Sequence, residues 1–201
     1  MKNNKVASDR QLGFVLMITS SLLFAFVPNS AKVAMNEGSS LIFLIISRYA
    51  IGTLILIPII FFTRNSFFIP RAFLTPTFLA SVLALALLVA TYHAVNYLDV
   101  GLVLLILYAF PIGVALISHI KGTEKINIAK WFCILFVFFG LCLMIFKGGT
   151  EVNYYGILVS IFGLFAFVFF VIVSGRLVAQ IGSTTLNLHI SIWGLFFLLI
   201  L

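Results

Sequence analysis

Residues 91–111 read TYHAVNYLDVGLVLLILYAFP: the close of one long apolar run, a short turn at 99–101, and the opening of another. Four polar or aromatic-polar residues, Tyr92, His93, Asn96 and Tyr97, sit in the first arm, and Pro111 interrupts the second. Residues four apart stack on one side of a helix. Tyr92 and Asn96 are therefore expected to share a face, as are His93 and Tyr97. Polar groups inside a bilayer are costly and tend to point at a partner or a wet cavity. The hairpin reads as part of the lining of a substrate path.

Composition sets the solvent. The chain is 63% hydrophobic and 8% charged, with a mean hydropathy of +1.27. Ordinary globular chains carry about 25% charge, so this one cannot clothe a water-facing surface, and lipid must surround it. A span needs about 20 apolar residues. The sequence supplies six such runs, at 12–35, 41–62, 76–98, 100–120, 128–146 and 154–177, with a seventh beginning near Leu186. In lipid each backbone group must be paired internally, so runs of this length are helices. The alternating ten-residue segments of a membrane barrel are absent. The expected architecture is an all-α polytopic bundle with short loops and antiparallel neighbours.

The basic residues are sorted by side. With the N-terminus in the cytoplasm, the inner side holds Lys2, Lys5, Arg10, Arg64, Arg71, Lys121, Lys125, Lys130 and Arg176, and the outer loops only Lys147. Cytoplasmic loops carry the excess of Lys and Arg, which fixes this orientation and expects a multi-pass protein of the cell membrane. No basic cluster interleaved with exposed aromatics marks a nucleic-acid surface. Cys133 and Cys142, nine apart in one apolar run, match neither a redox pair nor a metal clamp and read as buried thiols.

Two cations fall inside the apolar runs. Lys32 lies one turn from the outer end of the first. Arg48 lies seven residues into the second, roughly 10 Å deep at 1.5 Å per residue. Snorkelling of the long stem to the interface is one reading. The other makes them anchors for an anionic group, or partners of carbonyls freed by helix breaks such as the one at Pro28.

A shift of 144 residues aligns SAKVA at 30–34 with SGRLV at 174–178, and Ser47 with Ser191. The second copy would begin after five spans. Five is odd, so it would insert upside down, as inverted-topology carriers do. The expected organisation is a cytoplasmic tail at 1–11, a first five-helix repeat at 12–147, and the start of a second at 154–201. Two full copies need about 290 residues at this period, so a truncated second repeat is expected.

These residues resemble the EamA domain of the drug/metabolite transporter superfamily. The resemblance rests on Tyr92, Gly101, Leu104, Leu105, Tyr108, Pro111, Glu124 and Gly140, with Lys32 and the Ser47–Arg48 pair fitting as well. It covers residues 11–146 as a complete domain and 154–201 as the start of another. It implies a ten-span inner-membrane carrier of amino acids, other small metabolites or drugs, built from two inverted repeats. The chain departs from that pattern by lacking about three spans.

A membrane-embedded enzyme would need paired carboxylates, a metal cluster or an activated nucleophile. All five acids fall in loops or tails, and His93, His119 and His189 lie on three separate runs without ligand spacing. Neither catalytic residues nor a metal or other cofactor is expected. No GxxxxGK[ST] loop occurs, so transport would draw on a gradient or on facilitated flow. The substrate-path candidates are Lys32, Arg48, Tyr92, His93, Asn96 and Tyr108, with Pro28 and Pro111 as helix-kink candidates. For Tyr92, Asn96 and Tyr108 ordinary helix–helix hydrogen bonding competes, and for His93 a bond to a neighbouring helix. Expected partners are the lipid bilayer and a small molecule, and a homodimer is among the arrangements allowed. The alternative function is a non-transporting membrane fragment or scaffold that needs a partner chain.

The orientation is directly testable. A phosphatase that works only outside the cytoplasm should be active when inserted at Asp99 and silent when inserted at Lys125. The reverse pattern would contradict the N-terminus-inside reading.

Overall fold

In a computed structural model the chain is described over residues 2–63, 66–122, 127–129 and 153–200. Between the last two segments, 131–132, 135–136, 139–140 and 143 are also described. Among the described residues there are helices and no strands. They are α1 (Lys2–Asn36), α2 (Leu41–Thr63), α3 (Arg71–Ala94), α4 (Val100–Leu107), α5 (Phe110–Ile120), α6 (Tyr154–Ile181) and α7 (Ser183–Ile200). Six helical stretches are long and apolar enough to cross a membrane, with α4 and α5 together making one of them. The expected span at 128–146, with Cys133, Cys142 and the loop residue Glu124, lies largely outside the described residues.

Several helix ends overrun the hydropathy runs. α1 starts at Lys2 inside the expected tail, and α3 starts at Arg71 instead of 76. α6 runs on to Ile181, and α7 begins at Ser183 instead of Leu186. Helices continue past their apolar stretch because their polar first and last turns stand at the interface, where water completes the backbone bonds. Between α6 and α7 the chain turns on Gly182, whose φ of +80° suits a residue without a Cβ.

α3 and α6 form the axis. Lipid tails give helices no hydrophobic reason to associate, so close approach across small residues must do it. α6 presents Gly156, Ser160, Gly163 and Ala166, all buried, and α3 presents Ala80, Ala84, Ala90 and Ala94. A Cβ at Gly156 would stand 2.6 Å from Leu98, and one at Gly163 would stand 3.1 Å from Ala90. Those two pairings fix an antiparallel register. α4 and α5 lie along α6 in parallel: Leu107 meets Gly163, the Phe110 and Phe167 rings pack tilted with centroids 4.1 Å apart, and Gly113 meets Val168.

On the other side of α3, α2 and α7 pack antiparallel, with Tyr49 against Gly194 and Gly52 against Ser191. α1 joins the bundle in its second half, where Val27 and Ala31 enter the core shared with α2 and α3. Its outward face, like Leu54, Phe61 and Leu199 elsewhere, is exposed apolar surface of the kind lipid covers.

The α2–α7 contact makes a two-sided prediction. A Cβ at Gly194 would stand 2.6–2.8 Å from the Tyr49 ring, while Gly175 has nothing within 4 Å. Gly194→Leu should cost about 1–3 kcal/mol by overpacking and lower the melting temperature in detergent. Gly175→Ala should leave it unchanged or raise it. Equal behaviour of the two would contradict the packing.

Candidate functional site

The 91–111 hairpin turns earlier than its apolar pattern indicates. α3 ends at Ala94, and three-residue turn bonds follow, Asn96 N–H to His93 O at 3.2 Å and Tyr97 N–H to Ala94 O at 2.9 Å. Asn96 is therefore an exposed turn residue and does not share a helical face with Tyr92. Asp99 caps α4, its Oδ1 accepting from Gly101 N–H at 2.8 Å. The capped turn is held from α1 as well, because Lys32 Nζ donates to Leu98 O at 3.4 Å. Lys32 thus serves a carbonyl freed at a helix end, though not the one at Pro28.

The span that follows is broken. α4 stops at Leu107, Tyr108 and Ala109 make a turn, and α5 starts at Phe110 with Pro111 in its first turn. Pro111 has no N–H to return to the carbonyl four residues earlier, and its ring crowds that carbonyl. Ala109 N–H bonds Ile106 O at 3.2 Å and Ile112 N–H bonds Ala109 O at 3.0 Å, both shorter-range than the helical pattern. Pro111 itself points away from the interior. Its part is to place the break.

Beside this break lies a cavity of about 30 Å³. An ordered water needs roughly 10–15 Å³, so the space admits water or a small headgroup and not a whole metabolite. Arg48 from α2, Thr91 and Tyr92 from α3, and Tyr108 from the break contribute to its lining, but the surface it presents is almost wholly apolar. Its apolar wall comes from Pro28 of α1, Leu88 of α3, Leu104 and Leu107 of α4, and Phe167 of α6. Pro28 is buried and α1 continues through it. Arg48 Nη1 donates to Tyr92 Oη at 3.4 Å, and Tyr92 is only 3% exposed. Tyr49, beside Arg48 on α2, is 5% exposed, and its hydroxyl finds no hydrogen-bond partner among the described residues. Tyr108, in contrast, is 43% exposed and reaches from the cavity to the surface.

His93 belongs elsewhere. One residue along a helix is a turn of about 100°, so His93 faces α6 while Tyr92 faces α2 and α4. Its Nε2 is 3.2 Å from Tyr155 Oη, and His93, Tyr97 and Tyr155 meet edge to face with centroids 5.0–5.8 Å apart. His93 and Tyr155 line a second, open groove of about 320 Å³ whose other walls are apolar. His119 is exposed at the end of α5, and His189 Nδ1 lies 3.0 Å from Thr185 O on its own helix. The three histidines stay apart.

Of the residues singled out from the sequence, Arg48, Tyr92, Tyr108 and Pro28 come together, and Lys32, His93, Asn96 and Pro111 do not line that cavity. Thr91, Phe167 and Tyr155 were not anticipated. For Tyr155 a signal exists: Asn153 accepts from Tyr155 N–H as the N-cap of α6, which puts an aromatic in the first turn of a span.

Among the described residues, six membrane-length helical stretches, one of them broken at mid-course beside a small cavity, define a helical polytopic membrane protein. The chain belongs to the EamA-like transporter family, whose model matches residues 11–146, and its place is therefore in a lipid bilayer. No curated protein and no solved structure matches the chain.

The cap on α4 carries its own prediction. Asp99→Ala should cost about 1 kcal/mol, read as a lowered melting temperature, while Asp99→Asn should retain most of the stability. Equal loss in both would contradict a capping role for that oxygen.

Proposed function

We propose that the chain acts as a secondary carrier of small metabolites, amino acids or drugs across the cell membrane, with the Arg48–Tyr92–Tyr108 cavity on the substrate path. The observation that carries this reading is the coincidence of that cavity with the break in the fourth span. Discontinuous helices near the membrane midplane build the binding sites of many carriers, because the break frees backbone groups and permits bending. Pro111 supplies the break and Tyr108 the surface-reaching polar group.

Alternating access through two inverted repeats is the mechanism the reading adopts, and the α2–α7 contact supports it. A 144-residue shift carries residues 49 and 50 to 193 and 194. The tight contact is Tyr49 against Gly194. The crossing therefore centres on positions that the repeat relates to each other, where a two-fold axis in the membrane plane would pass. Rocking about that contact would open the cavity on one side and close it on the other. The inner-side N-terminus and a cell-membrane location remain part of the proposal.

Reconstitution in vesicles tests it. Imposed solute gradients should drive substrate-dependent flux through the wild-type protein. Pro111→Ala, which permits a continuous fourth helix, should lower that flux several-fold while protein level and melting temperature hold. Flux equal to that of protein-free vesicles across a metabolite panel would contradict the carrier reading and favour a non-transporting partner of another chain.

A further inference from the structure

We propose, resting on the carrier reading, that α2 and α7 have a second register against each other and against α3. In it three unpaired hydroxyls find partners, while the α3–α6 seam stays fixed.

Hydroxyl pairing separates the two seams. Among the described residues, the buried side-chain polar atoms without a partner are Tyr49 Oη, Thr53 Oγ1 and Thr77 Oγ1. Tyr49 and Thr53 lie one turn apart on α2, on the side where Tyr49 meets Gly194 and Gly52 meets Ser191. Thr77, fully buried, lies on α3 beside Phe78, whose ring packs edge to face on Trp193 and Phe197 of α7. All three therefore belong to the region where α2, α3 and α7 come together. In the α3–α6 seam the buried Ser160 is satisfied on Gly156 O, and His93 and Tyr155 bridge the two helices.

The two threonines forgo an available bond. Thr19, Thr63 and Thr91 each donate to the carbonyl four residues back, at 2.7–2.9 Å. Thr53 and Thr77 do not, so their hydroxyls are turned from their own helix backbone. The three oxygens are also enclosed too closely for a water to stand against them. A buried hydroxyl without a partner is costly, and such groups mark stored strain or a second function. Another arrangement of the same helices that pairs them accounts for all three.

The seam is shaped for a shift. Gly52 and Gly194 offer no side chain to Ser191 and Tyr49, so nothing interlocks at those two crossings. Helix interfaces accommodate shifts of about 1–2 Å. A shift of α2 along α7 would carry Thr53, the neighbour of Gly52, toward the Ser191 hydroxyl. That hydroxyl donates to Asn187 O at 3.0 Å and keeps lone pairs to accept. At the start of α7, Thr185 Oγ1 on Ser66 O at 2.7 Å holds the present register.

Thermal unfolding and backbone hydrogen exchange of the full chain in detergent test the assignment, beside flux in vesicles. The variants are Tyr49→Phe, Thr53→Val and Thr77→Val, with Ser81→Ala and Ser160→Ala as controls whose hydroxyls are already bonded. Removing an unpaired hydroxyl favours the present register over the second. Each of the three should raise the melting temperature by a few degrees and slow exchange several-fold in 41–63 and 183–200, with 71–94 and 154–181 unchanged. Flux should fall several-fold. The controls should not raise the melting temperature. Thr185→Val should speed exchange in 183–200. An unchanged or lowered melting temperature in the three variants would overturn the proposal, because the hydroxyls would then be paired already. Stabilisation without slower exchange in α2 and α7, or slower exchange with undiminished flux, would overturn it as well. The two readings fail separately. The expected exchange pattern in a protein that shows no flux would sink only the carrier reading. Wild-type flux, with exchange that the three variants leave unchanged, would sink only the second register.

Discussion

The close approach of α3 and α6 is the contact on which the rest of the molecule depends. In lipid, apolar side chains gain nothing by leaving solvent for a neighbouring helix, so association rests on packing and on a few interhelical hydrogen bonds. Gly156, Ser160, Gly163 and Ala166 let the α6 backbone come near Ala90 and Leu98. Ser160 satisfies itself on Gly156 O at 2.8 Å and Ser81 on Thr77 O at 2.8 Å, so these two buried hydroxyls cost little. Once α3 is held this way, its two faces are committed. One presents Tyr92 and Thr91 to the cavity, and the other presents His93 to Tyr155.

Polarity is then distributed where the helices cannot bury it in each other. Two long cationic side chains end on oxygen atoms: Lys32 on the carbonyl of Leu98, and Arg48 on the hydroxyl of Tyr92. At the opposite end of the bundle Thr185 Oγ1 donates to Ser66 O at 2.7 Å and ties the start of α7 to the α2–α3 loop. Each of these bonds joins residues distant in sequence at a helix end or a break. Within the spans the polar contacts between helices include Arg48 on Tyr92 and His93 beside Tyr155.

Much of this was legible in the sequence, for physical reasons that differ by feature. Apolar run length located the spans because bilayer thickness dictates it. Pro111 announced the break because a missing N–H and a steric clash act locally. Asp99 before Val100-Gly101 fitted a turn and proved to be a cap. What failed was the exact end of α3. Residues 95–98 are apolar or aromatic enough to continue a helix, but the chain closes with short-range turn bonds, and Asn96 falls outside. Hydropathy also missed the polar first turn of α7 at Ser183–Thr185, since it registers side chains and not backbone geometry. The pairing of Arg48 with Tyr92, of His93 with Tyr155, and the entry of Phe167 into the cavity wall were not legible at all. They join separate helices, and nothing in local spacing encodes which faces meet.

The central claim is that the Arg48–Tyr92–Tyr108 wall faces a water path and not lipid. Thiol labelling addresses it most directly. In a cysteine-free background, Leu104→Cys and Tyr108→Cys would be exposed to a small water-soluble maleimide in intact membranes, beside Leu54→Cys on the lipid-facing side of α2. The account predicts reaction at positions 104 and 108 and none at 54. Failure of both to react, or reaction no faster than at Leu54→Cys, would contradict it.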